Sequence, residues 1–411
     1  MQQLQHLGIF LSNQVDKNKF INTLISNQAT GKLSIYNHQK GMVFSDATIN
    51  AFIQKEHQYN ALSSALDTNR KLQTYSSGER KKVFLNYCIH QQPEYLILDN
   101  PLDHLDQKSR QTIINTLQQL TQKTQIILLA NRMVDLDILE IPKAAVDDNS
   151  FDLKLLKSII TPAHHFLATQ IPAPLEPIFL DQDILVKMTN LCVHYHQKPI
   201  LNQINWTIKK GEFWHLLGPN GSGKSTLLSL ITGENTKGYG QDLHLFGFQK
   251  GSGETIWDIK KNIGYFSTAM IEVFQTNNTL EQMVLSGFFD SIGLYSQASD
   301  LQLNIVQQWL ELLGLSAHKN TAFKTLSIGQ QRLALIVRAV IKHPPLLILD
   351  EPLEGLDDTN VSLVAQLINH LSQHTNLSIL YVSHRKEPNI HPKTIYQLTP
   401  NNKGTTGAIH P

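Results

Sequence analysis

The 411-residue sequence has few cysteines and no long apolar run. Its two cysteines, Cys88 and Cys192, lack C-x-x-C spacing, which argues against a structural zinc site or a disulfide framework and favours a reducing cytoplasm. The amino terminus, MQQLQHLGIFLSNQ, is too polar for a signal peptide. No stretch of about 18 apolar residues is present, so we expect no membrane-spanning helix. Any transport pore would then come from another chain.

The sequence also lacks an excess of charge of either sign. It has 35 Lys and Arg residues against 34 Asp and Glu residues, whereas nucleic-acid-binding domains are usually basic. Composition therefore gives no sign of a nucleic-acid partner. The predicted location is the cytoplasm or, by peripheral attachment, the inner face of the cell membrane.

What the sequence does contain is an internal repeat. The stretch YSSGERKKVFLNYCIHQQPEYLILDNPLDHLD recurs as LSIGQQRLALIVRAVIKHPPLLILDEPLEGLD. Ser76 and Ser327 are 251 positions apart, and so are Asp99 and Asp350, which means that the copies align without a gap. We interpret them as two copies of one domain.

A proline-rich segment separates the two copies. Residues 161–183 include the run IPAPLEP, which disfavours a helix and favours an extended linker. The sequence thus predicts a first domain at 1–160 and a second at 184–411. The second begins with ILVKMTNLCVHYHQKPILNQINWTIKKGEFWHLLG, an alternating apolar pattern that predicts several short strands before a glycine-rich turn. The first copy shows no counterpart of those strands, and we expect it to be truncated.

The patterns around the repeat predict an α/β fold. Apolar residues after LSIGQ recur at helical spacing until Pro344 and Pro345, which end the helix. The following LLILD predicts a buried strand of a parallel sheet. Polar residues come at the carboxyl end of that strand, where open α/β sheets bind ligands.

The second copy carries the phosphate-binding pattern G-x-x-x-x-G-K-[ST] between an apolar strand and an apolar helix, a context that argues against a merely flexible turn. Glycines let backbone N–H groups reach phosphate oxygens. Lys224 would place a cation on the β- and γ-phosphates, and Ser225 would offer a hydroxyl to Mg²⁺. The predicted nucleotide-binding residues are Gly218, Pro219, Asn220, Gly221, Ser222, Gly223, Lys224, Ser225 and Thr226.

Further candidate residues lie outside the loop. Asp350 would hold Mg²⁺, and Glu351 would orient or deprotonate the attacking water; two solvated acids that cap a strand are the alternative interpretation. Tyr195 would stack on adenine unless it is a core aromatic. His384 follows the apolar strand SILYVS and is by itself more typical of a structural histidine.

The motifs GPNGSGKST, LSIGQ, LLILDEP, GLD and YVSH, in this order, resemble the nucleotide-binding domain of ABC ATPases. The text around them is similar to the ModF/PhrA-type tandem ABC ATPases. The resemblance implies two P-loop NTPase domains, each a mixed sheet with flanking helices and a helical subdomain. It also implies head-to-tail pairing of the two halves within the chain, with ATP and Mg²⁺ between the phosphate loop of one and the signature segment of the other. It gives His384 a γ-phosphate contact and Lys224 a catalytic role. One departure is Thr268, where the family usually has glutamine.

The first copy is degenerate at the residues that carry chemistry. When Lys17 is aligned with Lys224, side chains replace the loop glycines, and the acid pair becomes Asp99-Asn100. The signature survives in part as YSSGE. The predicted competent site therefore combines the second copy's catalytic residues with Ser76 and Gly78 of the first copy. The other replacements in the first copy are Leu11, Gln14 and Asp16 for the glycines, Asn18 for Ser225 and Asn131 for His384.

The predicted activity is ATP binding and hydrolysis at one composite site. The favoured role is an accessory or energising subunit for a membrane transporter, with a separate permease as the partner. A soluble ATP-driven switch without a role in transport and a non-hydrolytic ATP-binding module are the alternatives.

Overall fold

The computed structural model describes residues 5–58, 70–103, 105, 107–146, 151–155, 170–196, 198–274, 277–293 and 296–410. Contacts divide the chain into two compact units. The first comprises Met1–Pro162 with Gly355–Asn360, and the second comprises Ala163–Glu354 with Val361–Pro411. The start of the predicted linker, residues 161–169, lies outside the described residues.

The first unit is built on a six-stranded sheet. Its strands are β1 (Leu7–Phe10), β2 (Gly41–Phe44), β3 (Tyr95–Asp99), β4 (Gln125–Ala130), β5 (Lys143–Val146) and β6 (Leu153–Leu155). They lie in the order β2-β3-β4-β1-β5-β6, all parallel except β6, which is antiparallel to β5. Side chains of β3 alternate between two apolar cores: Leu96 and Leu98 pack into one, and Ile97 packs into the other. Both faces of this sheet are therefore covered, as a parallel sheet requires.

Within the described residues of the first unit, the α-helices are α1 (Lys17–Ile25), α2 (Asp46–Gln58), α3 (Ser77–His90), α4 (Gln107–Leu120) and α5 (Met133–Leu136). A capping box sets the start of α3. The Ser76 hydroxyl accepts a hydrogen bond from the N–H of Glu79, and the Glu79 carboxylate accepts one from the N–H of Ser76. Within the described part of this unit, the six-stranded sheet is the only sheet.

The second unit repeats the same sheet. Its strands are β9 (Phe213–Leu217), β12 (Ile263–Ser267), β13 (Leu346–Asp350), β14 (Ser378–Ser383), β15 (Thr394–Thr399) and β16 (Thr406–His410). Their order is β12-β13-β14-β9-β15-β16, with β16 antiparallel to β15. Position by position this matches the first unit, so the repeat in the sequence is a repeat in the fold.

An antiparallel sheet precedes the loop of the second unit. It consists of β7 (Ile184–Tyr195), β8 (Lys198–Lys209), β10 (Asp242–Leu245) and β11 (Phe248–Gln249), in the order β11-β10-β7-β8. The prediction of several short strands here was wrong in detail, because β7 and β8 each have 12 residues. Register shifts, as between Met188 and Leu191, interrupt the alternation and make a long strand look like short ones.

The helices of the second unit are α6 (Lys224–Ile231), α7 (Ile256–Lys260), α8 (Met270–Val273), α9 (Leu280–Leu285), α10 (Asp300–Leu312), α11 (Ile328–Val340) and α12 (Asp358–His374). Ser327 caps α11 in a capping box with Gln330, and most of this helix is buried. None of the helices in the described part of the chain combines the length and the apolar character that crossing a bilayer requires.

Candidate nucleotide site

The phosphate loop of the second unit lies between β9 and α6. Gly221 and Gly223 have φ values of 75° and 86°, in the left-handed region that favours glycine. A methyl group on Gly223 would also lie 2.8 Å from a side-chain carbon of Leu201. Because Gly223 immediately precedes α6, the free N–H groups of the first helical turn point into the loop, an arrangement that suits phosphate oxygens.

Lys224 is held inside this loop. Its side chain is buried, with 9% of the residue exposed, and its Nζ donates hydrogen bonds to the carbonyls of Gly218 at 2.7 Å and Pro219 at 3.3 Å. Burial lowers the pKa of Lys224, whereas the negative charges of Glu351 and Asp350 raise it. A cation in so poorly solvated a site interacts strongly with an anionic ligand.

The acid pair stands at the end of β13. Glu351 has a φ of 50°, and its N–H donates to the carbonyl of Val382 at 2.9 Å. This left-handed conformation is uncommon for a residue with a side chain and occurs often at functional sites. His384, which follows the neighbouring strand β14, places Nδ1 3.1 and 3.2 Å from the two carboxylate oxygens of Glu351. The histidine thus orients a carboxylate that would otherwise rotate freely.

Asp350 is half-buried, as Glu351 is. Burial raises the pKa of Asp350 from 3.8 to about 6; Glu351 acts in the same direction and Lys224 against it. With the Ser225 hydroxyl, Asp350 offers the oxygen ligands that Mg²⁺ prefers. This donor set fits Mg²⁺ better than a softer metal, since it contains neither sulfur nor imidazole.

Asp350→Asn is expected to stabilise the nucleotide-free protein near neutral pH. Because the folded-state pKa of Asp350 is raised to about 6, folding above that pH buries a charge, and the penalty shrinks as pH falls toward the unfolded value. The free energy of unfolding should rise by about 1–3 kcal/mol at about pH 7.5 and by roughly half as much at about pH 5. Urea unfolding at both pH values measures this. An equal increase in the free energy of unfolding at the two pH values would contradict the prediction.

Two other predicted residues occupy distinct places in the second unit. Tyr195, at the end of β7, is 43% exposed, and its hydroxyl accepts a hydrogen bond from Nδ2 of Asn235 at 2.9 Å. Its ring is therefore accessible to a ligand and is not part of the core. Thr268 directly follows β12 and stands one residue before the cap of α8.

The predicted signature residues of the first copy lie at the start of α3. Ser76 is the helix cap, and Gly78 occupies the first turn. A side chain on Gly78 would overlap Ser109 of α4, so the close approach of these two helices requires glycine here. The backbone shape of the signature is thus retained in the first unit.

The first unit keeps the backbone of the turn at Asp350-Glu351 but not its side-chain chemistry. Asn100 has a φ of 41° and donates its N–H to the carbonyl of Leu129 at 2.9 Å, as Glu351 does in the second unit. In place of a carboxylate and a histidine, two amides pair: Nδ2 of Asn100 lies 3.3 Å from Oδ1 of Asn131. An amide does not accept a proton from water at neutral pH, so this pair cannot act as a general base.

Three polar residues of the degenerate loop already have protein partners. The Asp16 carboxylate caps α1 by accepting from the N–H of Lys19 at 3.0 Å, and Nζ of Lys17 lies 2.8 Å from Asp99. Asn13 exchanges hydrogen bonds with Asp357, which clusters with the first unit: the N–H of Asn13 donates at 2.8 Å and its side chain accepts at 2.6 Å. Asn13, Asp16 and Lys17 are therefore already engaged in contacts within the protein.

Comparison with known proteins decides the family. A family model described as ABC transporter matches residues 201–354. The Escherichia coli ABC transporter ATP-binding protein ModF is 40% identical over 345 residues, which cover 80% of this chain and 70% of ModF. This chain belongs to the ABC ATP-binding proteins. As a member of that family it is an ATPase, which binds and hydrolyses ATP.

Other relatives agree with this assignment. An uncharacterized ABC transporter ATP-binding protein of Schizosaccharomyces pombe is 30% identical over 334 residues, or 77% of this chain and 66% of that protein. A solved structure named RNase-L Inhibitor superposes with a TM-score of 0.62 at 16% identity and covers 98% of this chain and 85% of its own. At that identity the match shows the fold alone, a tandem arrangement of two ABC domains.

Sequence reasoning missed three residues of this ABC ATPase site. The Tyr265 hydroxyl lies 3.5 Å from Asp350, and Glu354 places a carboxylate oxygen within 4.8 Å of ligand atoms of Glu351 and His384. Arg332 of α11 donates a hydrogen bond to the Glu354 carbonyl at 2.9 Å and so connects this helix to the turn that follows β13. The second glutamate of DEPLEGLD is Glu354, so an acidic residue close to Glu351 was visible in the sequence. Nothing in the sequence pointed to Tyr265 or Arg332.

Proposed function

We propose that this ABC ATPase hydrolyses ATP at one composite site and serves as an accessory or energising subunit of a membrane transporter. Domains at 1–160 and 184–411, joined by the linker at 161–183, would pair head to tail. Ser76 and Gly78 would then cover the ATP that the second domain binds. The observation that carries the proposal is the contrast between the Glu351–His384 pair and its amide counterpart in the first unit.

Each residue of the proposed site has a defined task. Lys224 and the N–H groups of its loop would hold the phosphates, and Tyr195 would stack on the adenine. Glu351, oriented by His384, would align the attacking water and accept its proton. Mg²⁺, held by Ser225 and Asp350, would offset charge on the phosphate oxygens.

The contacts of the first unit support a single hydrolytic site. Asp16 places a carboxylate at the start of α1, where a phosphate would otherwise bind, and like charges repel at short range. Lys17 would have to give up its ion pair with Asp99 to reach a ligand. These costs oppose nucleotide binding before any contact with ATP is made.

A count of bound nucleotide tests the single site. We expect equilibrium dialysis with radiolabelled ATP and Mg²⁺ to saturate at about one ATP per chain, since the second loop has the glycines and the helix start that suit phosphate, whereas the first loop carries the Asp16 carboxylate at the start of α1. Two sites of similar affinity would contradict the proposal. ADP trapped during purification is removed first, because it would lower the apparent count.

A groove on the second unit favours a protein partner. Its volume is about 530 Å³, and it runs from Ser225 along α7, α8 and α11. Trp257 and Val273 line it and are 67% and 57% exposed, which is a large exposure for apolar side chains. Such a surface is typical of a protein-binding site, and a helix of a membrane permease is the proposed occupant. The protein would then act in the cytoplasm against the inner face of the cell membrane.

Isolation of the complex tests the transporter role. Tagged protein, extracted from membranes in a mild detergent, is expected to retain a membrane protein with several spanning helices. Val273→Glu should release that protein, because it places a charge in an apolar contact. Val134→Glu, at a residue 54% exposed on the first unit, is the matched control. Recovery of soluble protein or RNA instead would favour an ATP-driven switch without a role in transport.

A further inference from the structure

One side chain, that of Tyr265, both lines the groove and contacts the proposed magnesium ligand Asp350. Tyr265 of β12 lines the groove, and its hydroxyl lies 3.5 Å from Oδ2 of Asp350 on β13. The register of the two parallel strands explains this contact. Ser267 is paired with Asp350 and Tyr265 with Ile348, with one pair between them, so Tyr265 and Asp350 lie on the same face of the sheet.

The direction of this hydrogen bond follows from the chemistry of the two groups. A tyrosine phenol carries a proton at neutral pH and an ionised carboxylate only accepts, so the Tyr265 hydroxyl donates the hydrogen bond and Oδ2 of Asp350 accepts it. At 3.5 Å the hydrogen bond is long.

We propose that Tyr265 is a positioning residue for the metal site: its hydroxyl holds one oxygen of Asp350 so that the other faces Ser225. The inference rests on the proposed role of Asp350 and Ser225 as Mg²⁺ ligands. Glu351, next in the chain, repels the Asp350 carboxylate and would otherwise help to turn it away. A hydrogen bond to the oxygen that does not bind the metal is the usual way in which proteins orient a metal-ligating carboxylate.

The test removes only the hydroxyl, in Tyr265→Phe. The probe is AMP-PNP, a non-hydrolysable ATP analogue, whose affinity is measured by calorimetry with Mg²⁺ and with EDTA. We expect the gain in affinity that Mg²⁺ gives to fall about tenfold, because loss of an outer-shell partner costs a metal site about 10- to 100-fold in affinity. Affinity in EDTA should change by less than about twofold, since the phosphate loop is untouched.

Steady-state kinetics give a second readout. The Mg²⁺ concentration for half-maximal ATPase activity should rise about tenfold in Tyr265→Phe, with kcat at saturating Mg²⁺ within about threefold of wild type. Tyr396→Phe is the matched control. It removes another buried hydroxyl of the same unit, which donates to the carbonyl of Asn205 at 3.0 Å, and it should leave the Mg²⁺ dependence unchanged.

Two outcomes would overturn the inference. Equal losses of affinity with Mg²⁺ and with EDTA would mean that Tyr265 supports the fold of the site and not the metal. An unchanged Mg²⁺ dependence would mean that the hydroxyl does nothing there. Asp350→Asn separates this failure from failure of the proposed site. If Asp350→Asn keeps the full gain in nucleotide affinity that Mg²⁺ gives, the assignment of Asp350 as a metal ligand is wrong. If Asp350→Asn loses this gain while Tyr265→Phe keeps it, only the role proposed for Tyr265 is wrong.

Discussion

Glu351→Gln is expected to lower the ATPase rate by about 100-fold or more while ATP stays bound. The carboxylate that His384 orients at 3.1 Å becomes an amide of the same shape, which cannot accept the proton of the attacking water. Loss of a positioned general base typically costs about 100- to 10,000-fold in rate. Phosphate release at saturating ATP gives the rate, and filter binding gives the bound nucleotide.

Glu354→Gln is the matched control for this prediction. It removes a carboxylate from the same turn, whereas the oxygens that contact His384 belong to Glu351. We expect the ATPase rate to fall by less than about tenfold, because Glu351 and its contact with His384 are unchanged in this variant. If Glu354→Gln lowers the ATPase rate more than Glu351→Gln does, Glu354 and not Glu351 is the general base. Full activity in Glu351→Gln would show that neither the residue nor its domain is assigned correctly.

The repeat and its motifs were sufficient to predict the fold of both copies. A phosphate loop needs a strand before it and a helix after it, and the apolar run LLIL before Asp350 is typical of a buried strand. The six-stranded sheets with matching strand order confirm the α/β prediction. Local pattern is informative here because each motif lies at the end of one regular element.

The order of the strands within each sheet could not be predicted from the sequence. Which strand lies beside β13 depends on packing between segments far apart in the chain, and Tyr265 is 85 positions from Asp350. No periodicity or motif joins two such residues. The same limit applies to Arg332, whose contact with the turn after β13 depends on how α11 packs.

The degenerate copy shows a different limit. Substitution alone predicted that Asn100 and Asn131 lack acid–base chemistry, and the paired amides are consistent with this. It did not predict that Lys17 pairs with Asp99, because an alignment shows which residue is present and not where its side chain goes. The retained φ at Asn100, 41° against 50° at Glu351, shows that the backbone has kept a turn whose chemistry is gone.

Lys224→Ala is expected to weaken ATP binding about 10- to 100-fold, since hydrogen bonds to charged groups are worth about 1.5–3 kcal/mol. Lys17→Ala, the same substitution at the aligned position of the first copy, should change it by less than about twofold, because the Lys17 ammonium is already paired with Asp99. Fluorescence titration with a labelled ATP analogue measures both affinities under one set of conditions.

The comparison holds only if both variants fold. Lys17→Ala leaves the largely buried carboxylate of Asp99 without its ion pair, which itself destabilises the first unit. A second variant, Lys17→Ala with Asp99→Asn, removes both charges, and its thermal unfolding should lie closer to wild type. If this variant also binds ATP normally, the first loop plays no part in binding. If either first-copy variant weakens ATP binding as much as Lys224→Ala does, the first loop holds nucleotide despite its side chains, and the single-site proposal is wrong.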